Sequence, residues 1–280
     1  MPIRLDLKKW IAGFGAIGGA VLYYPNDNDY TQLTQKQHSW TTTPSFWGKW
    51  DHNWDRRHPE WLTNVTKFDN ETNKESREES SIRRQSSVKH HIILIRHGQY
   101  NTKGITKSDR ILTTLGRQQA EATGKRLQEL GLPYSLIIQS TIVRAKETAQ
   151  IIEKYLKNIT VKEDSVLSEG IPIAPDPPIN VQNSEVVVYK DGPRIEAAFR
   201  KYFHRPEPNQ KKDSYIILVC HANIIRYFVC RALQFPPEGW LRLSLNHGSI
   251  TWISIRSNGT VTLKSLSDSG HMKPQLISSD

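Results

Sequence analysis

The chain has 280 residues, 37% hydrophobic and 24% charged, with a net charge of +10. That suits one sizeable folded domain with polar appendages. The basic balance raises nucleic acid as a partner, but no RNP, helix-turn-helix or zinc-finger pattern supports it, which leaves phosphate-ester chemistry or a mitochondrial destination. The two cysteines, Cys220 and Cys230, lack histidines at ligand spacing and form neither a disulfide framework nor a metal motif.

The N-terminus carries Arg4, Lys8 and Lys9, then an uncharged run from Trp10 to Tyr24. The run is short for a span of ~20 residues. Trp10, Tyr23 and Tyr24 nevertheless resemble interfacial anchors, and Gly15 and Gly19 are spaced for close helix packing. Residues 1–24 are therefore expected to form a membrane anchor or targeting segment. The alternatives are a cleaved signal peptide, though no convincing small-x-small cleavage site follows the run, and a buried soluble helix, which four glycines disfavour. Residues 25–88 are polar, yet six of the eight tryptophans precede residue 62, with Trp47, Trp50 and Trp54 clustered. A disordered linker is poor in aromatics. This cluster is expected to bury itself against its own domain or a neighbouring chain. Trp50 and Trp54 share a face in a helix or a strand, and Asp51 and Asp55 bracket them. Residues 69–87 read as a flexible linker, so the main domain is expected over residues 89–280.

Ile92 to Ile95 read as a strand buried on both faces. It ends on Arg96, His97 and Gly98. Leu112 to Gly116 lead into a helix that Thr113 or Thr114 can cap; Ala120, Thr123, Leu127 and Leu130 line one of its faces, and Gly131-Leu132-Pro133 ends it. Leu136 to Ile138 form a second strand. Ser140-Thr141 follow, then a helix with Ile142, Ala145, Ala149, Ile152 and Leu156 on one side and Arg144 in its first turn. Val161 to Leu167 read as extended, ending at Glu169. A proline-rich loop follows, and the next helix is expected to start near Pro193. Tyr215 to Cys220 form a strand ending on His221, backed by a helix bearing Ile225, Phe228 and Val229. Residues 249–255 and 260–265 read as a hairpin closed at Ser257-Asn258-Gly259. Strands alternating with helices imply a three-layer α/β sandwich, a mostly parallel sheet covered on both faces.

Parallel strands put their carboxyl ends on one side of the sheet, where ligands bind. Arg96, His97, Arg144, Glu169 and His221 all fall there. Two arginines and two histidines make an anion site suited to a phosphoryl group. Neutral His97 is a candidate nucleophile, Glu169 a candidate proton donor, and Arg96, Arg144 and His221 candidate ligands for the equatorial oxygens.

These residues carry a resemblance. Leu94-Ile95-Arg96-His97-Gly98, Leu112 to Ala120, Ser140 to Ala149, Leu167-Ser168-Glu169-Gly170 and Cys220-His221-Ala222 are similar, in order, to five motifs of the histidine phosphatase (phosphoglycerate mutase-like) superfamily. Trp50-Asp51-His52-Asn53-Trp54-Asp55 resembles a motif of that superfamily's mitochondrial serine/threonine phosphatase branch, as do Arg194 to His204 and Ile225 to Pro236. The resemblance implies a phosphoglycerate mutase-like fold and a membrane-anchored phosphoprotein phosphatase, on the outer mitochondrial membrane, with phosphoserine and phosphothreonine proteins as substrates and a stress-activated kinase among its partners. It implies a phosphohistidine on His97, protonation by Glu169, and a phosphate pocket of Arg96, Arg144 and His221, with no metal or cofactor. It also implies a homo-oligomer joined through Trp50, Asp51, Asn53, Trp54 and Asp55. Two departures stand out: Cys220 replaces a glycine and is expected to crowd His221, and His52 replaces a proline and is expected to weaken assembly. The rivals are a metabolite phosphatase or phosphoglycerate mutase, and a catalytically idle membrane scaffold.

Overall fold

The computed structural model describes residues 49–57, 88–106, 108–179 and 184–279. The N-terminal run of residues 10–24 and the stretch of residues 69–87 lie outside them; among the described residues no helix is long and apolar enough to cross a membrane.

Six strands form one sheet: β1 (Lys89–Arg96), β2 (Tyr134–Ser140), β3 (Thr160–Asp164), β4 (Ser214–Cys220), β5 (Ile250–Arg256) and β6 (Val261–Asp268), in the order β3-β2-β4-β1-β5-β6. β1 to β4 run parallel, whereas β5 pairs antiparallel with β1, and β6 antiparallel with β5. The α-helices among the described residues are α1 (Thr114–Leu130), α2 (Val143–Glu153), α3 (Ser184–Tyr202) and α4 (Ala222–Ala232).

The pleat of β1 sorts its side chains between two cores. Ile92 and Leu94 pack with Ile195, Phe199, Ile225 and Phe228 of α3 and α4. Ile93 and Ile95 pack with Leu127 of α1 and with Ala145, Ala149 and Ile152 of α2. All four β1 residues are buried, which explains the unbroken aliphatic run: each faces one helical layer or the other, and each contributes roughly 1.5–3 kcal/mol by burial.

Most elements lie where the sequence places them. Thr113 caps α1 by accepting from the Gly116 N–H at 3.0 Å, and Gly131, at φ 57°, ends it in the left-handed region. Three expectations need correction. Val161 to Leu167 is extended only to Asp164, whose carboxylate accepts from the Val166 N–H at 3.1 Å and turns the chain into a 3-10 turn over Ser165–Leu167. α2 ends at Glu153, short of Leu156. α3 begins at Ser184, nine residues before Pro193. The proline forfeits one helical hydrogen bond. Against that loss, the helical spacing of Asp191 and Arg194 lets them pair at 3.1 Å, while Asp191 also accepts from the Ile171 N–H at 3.3 Å.

The tryptophan segment packs on its own domain. Trp54 is buried in the α3–α4 core, 5.9 Å from the Phe199 ring, and its indole N–H donates to the Gly259 carbonyl at 2.8 Å. Three donor groups of Arg205 reach Asp55: the backbone N–H at 2.9 Å, Nε at 2.9 and 3.1 Å to the two carboxylate oxygens, and Nη2 at 2.8 Å. Burial alone would raise the Asp55 carboxyl, but these bonds hold it below the usual carboxylate range. The Asp51 backbone pairs both ways with the Gln234 side chain, at 2.8 and 2.9 Å. His52 is exposed and contributes only its carbonyl, which accepts from Arg205 at 2.8 Å, so a histidine in place of proline leaves the seat intact.

Candidate active site

β1 delivers Arg96 and His97 at the centre of the sheet. The His97 N–H donates to the Cys220 carbonyl on the β4 side at 3.0 Å, and the Gly248 N–H donates to the Arg96 carbonyl from the β5 side at 3.0 Å. The backbone at Arg96 and His97 is thus clamped between two neighbours. Gly98 must be glycine, because a Cβ there would lie 2.3 Å from the Gly116 carbonyl oxygen. That close approach brings the start of α1 against the loop.

The imidazole of His97 is buried and directional. Its Nδ1 lies 2.8 Å from the Gly98 carbonyl, which fixes the proton on Nδ1, and the Arg144 Nε–H donates to Nε2 at 2.9 Å. The lone pair on Nε2 is therefore taken up by that bond and points at the Arg144 guanidinium. Burial, then the neighbouring His221 and Arg144, hold the His97 pKa well below its ordinary value, so the ring is neutral at pH 7. His221, from the end of β4, lies with its ring 5.1 Å from that of His97, and its Nε2 is 2.8 Å from the Ser140 hydroxyl. Burial keeps it neutral too.

Glu169 sits beyond β3, with Oε2 3.5 Å from Nδ1 of His221. Burial pushes its pKa up to about 7, against the opposing pull of Arg144 and of the Gly170 and Asn223 backbone N–H groups. A carboxyl half protonated near neutrality is matched to proton donation. Atoms of His97, Glu169 and His221 lie within 4.8 Å of one another, a spacing that also suits a cation. Arg96 and Arg144 beside them make the pocket attractive to an anion instead.

All five residues expected at the strand ends meet in this pocket. Cys220 does not crowd it: its side chain packs in the apolar core with Leu94 and Leu218, and burial raises its thiol pKa. Several further groups belong to the site. The Tyr100 ring stands edge-on to His97 at 5.2 Å and lies under the Arg144 guanidinium at 4.5 Å. His247 holds Nη2 of Arg96 at 3.1 Å, and the Leu245 carbonyl accepts from Nη1. Arg194 donates to the carbonyls of Val166, Ser168 and Glu169, at 2.9, 2.7 and 3.3 Å, and so shapes the turn that carries Glu169. Tyr100 had a signal in its nearness to His97-Gly98; Arg194 and His247 had none in any strand end.

The chain belongs to the histidine phosphatase superfamily (branch 1), whose pattern matches residues 92–170 and 192–268. More particular relatives carry the name serine/threonine-protein phosphatase PGAM5, mitochondrial. The one from Rattus norvegicus is 50% identical over 99% of both chains. The one from Xenopus laevis is 51% identical over 85% of this chain and 86% of its own. Among solved structures, Bacillus stearothermophilus YhfR shares the fold, with a TM-score of 0.50 at 20% identity, covering 65% of this chain and 98% of that one.

Proposed function

We propose that this chain is a mitochondrial protein serine/threonine phosphatase that works through a phosphohistidine on His97. The observation that carries this reading is the pairing of a neutral, oriented Nε2 on His97 with the Arg144 guanidinium 2.9 Å away. The names of relatives at half identity support the phosphoprotein substrate and the mitochondrial location.

In the first step the Arg144 Nε–H turns from Nε2 to a phosphoryl oxygen, the freed Nε2 lone pair attacks phosphorus, and the bond to the seryl or threonyl oxygen breaks. Protonated Glu169 gives its proton to that oxygen, so the leaving group departs as an alcohol. Arg96, Arg144 and neutral His221 take the equatorial oxygens. In the second step the Glu169 carboxylate takes a proton from water, whose oxygen attacks phosphorus. The N–P bond breaks, inorganic phosphate leaves, and His97 returns to its neutral form.

Residues 1–24 would anchor the enzyme, in our reading, in the outer mitochondrial membrane, where a stress-activated kinase is a fitting phosphoprotein partner. The 30 residues from 58 to 87 give the tryptophan segment reach, up to ~3.3–3.6 Å per residue. The seat on Arg205 and Gly259 could therefore be filled by a neighbouring chain, giving a homo-oligomer.

The deciding experiment compares a phosphoserine peptide with 3-phosphoglycerate as substrates and repeats the assay with His97→Ala. Wild-type chain should dephosphorylate the peptide, and the alanine variant should lose at least ~10³-fold in kcat/KM with its fold intact by circular dichroism. Mass spectrometry after an acid-free quench should place phosphate on His97. Full activity in the alanine variant, or turnover of 3-phosphoglycerate alone, overturns the reading.

A further inference from the structure

The C-terminal segment reaches the back of the phosphate pocket. After β6 the chain makes a 3-10 turn over Pro274–Leu276, and Ser278 then lies against two side chains. Its carbonyl accepts from the His247 N–H at 2.8 Å, and its hydroxyl oxygen is 3.0 Å from His247 Nδ1 and 2.9 Å from Gln119 Nε2. Gln119 also donates to the Leu276 carbonyl at 2.7 Å. Both side chains are buried, and each reaches a residue flanking the Arg96-His97-Gly98 turn. The Arg96 Nη2 meets His247 Nε2 at 3.1 Å, and the Gln99 N–H donates to Gln119 Oε1 at 2.8 Å.

The directions of these bonds are fixed by the chemistry. A guanidinium only donates, so His247 Nε2 must accept from Arg96, and the His247 proton must sit on Nδ1. That proton points at the Ser278 oxygen, which also accepts from the Gln119 amide. The chain of bonds runs from Arg96 through His247 to Ser278, and from Gln99 through Gln119 to the same oxygen.

We propose that His247 and Ser278 are positioning residues for the phosphoryl-transfer site: the C-terminal segment sets the aim of the Arg96 guanidinium through His247 and holds the loop after the nucleophile through Gln119. Neither touches the reacting atoms. The inference rests on the phosphatase reading only for its turnover assay, since the aim of Arg96 is also read by affinity for an anion.

The test uses the full chain. His247→Leu removes the acceptor for Arg96, His247→Gln restores an acceptor oxygen, and Ser278→Ala and Ser278→Thr remove and retain the hydroxyl. Affinity for inorganic vanadate, a tetrahedral oxyanion that becomes trigonal-bipyramidal on taking a fifth ligand, is measured by calorimetry, and kcat and KM with p-nitrophenyl phosphate. His247→Leu should weaken vanadate binding about tenfold, the scale of one charge-assisted hydrogen bond, and lower kcat more than it raises KM. His247→Gln should recover to within about threefold. Ser278→Ala should lose about threefold in vanadate affinity, recovered by Ser278→Thr. Equal losses in the leucine and glutamine variants, or unchanged vanadate affinity in both His247→Leu and Ser278→Ala, overturn the proposal. If His247→Leu does not fold, the Ser278 pair decides alone. A wild-type chain that binds vanadate but turns over no phosphate ester would refute the phosphatase reading and leave the positioning result standing.

Discussion

Two buried arginines of this molecule live in opposite surroundings. Arg205 is locked to Asp55, whose carboxylate takes Nε, Nη2 and the backbone N–H. Arg144 is held by a neutral imidazole nitrogen at 2.9 Å and the face of Tyr100 at 4.5 Å. An anion in the same chain neutralises the first charge, so Arg205 fastens the tryptophan segment and carries no uncompensated charge to offer a ligand. Neutral groups orient the second charge without cancelling it, so Arg144 can receive a phosphoryl group. Among buried cations, the identity of the partner separates a fastening from a binding group.

The comparison breaks if the roles can be exchanged by mutation. Arg205→Met strands the fully buried Asp55 carboxylate and should cost about 3–5 kcal/mol in a denaturant titration, with kcat/KM of the surviving folded fraction little changed. Adding Asp55→Leu should recover much of that loss. Arg144→Met should lower kcat/KM by ~10²–10³-fold, about 2.7–4 kcal/mol of transition-state stabilisation, while the denaturation midpoint stays put. An Arg205 variant that is stable but inactive, or an Arg144 variant that is active but unstable, would sink the distinction.

Glu169 sharpens it with pH. Its carboxyl titrates at about 7, so kcat/KM for an alkyl phosphate should fall about tenfold per pH unit above that point. Phenyl phosphate, with a better leaving group, should show a shallower limb, and Glu169→Gln should abolish the limb. The sign carries over to stability. A folded pKa raised from the ordinary 4.5 to about 7 leaves the native state at full stability below the lower value and costs it stability as pH rises through the upper one. Glu169→Gln should therefore stabilise the chain relative to wild type at pH 8 and not at pH 4, by differential scanning calorimetry. The smallest expected effect is at the rim of the tryptophan seat: half-buried Trp50→Ala should cost about 1–2 kcal/mol, less than buried Trp54→Ala, for which about 3–5 kcal/mol is expected.

The sheet and five pocket residues were legible because the rule they obey is simple. Parallel strands bring their carboxyl ends together, and β1 to β4 are parallel, so Arg96, His97, Arg144, Glu169 and His221 could be placed by reading strand ends. The same rule hid His247. It precedes β5, which runs antiparallel to β1, so the beginning of that strand, not its end, meets the pocket. The start of α3 was misplaced because Asp191-Gly192-Pro193 looks like a helix boundary, and only the contacts of Asp191 and Arg194 explain why the helix runs through it. Arg205 gave no signal, since its carboxylate partner stands 150 positions earlier in the chain.

The strand order has a consequence for the birth of the protein. β1 pairs with β4, and His90 is 124 positions from its neighbour Ser214; β5, its other partner, comes later still. During synthesis β1, which ends on Arg96 and leads into His97, leaves the ribosome before the other described strands and must wait for most of the chain before either flank is covered. Until then Ile92 to Ile95 are an unpaired apolar strand, which makes the nascent chain a natural client for chaperones and leaves any fragment truncated before β4 without a usable His97.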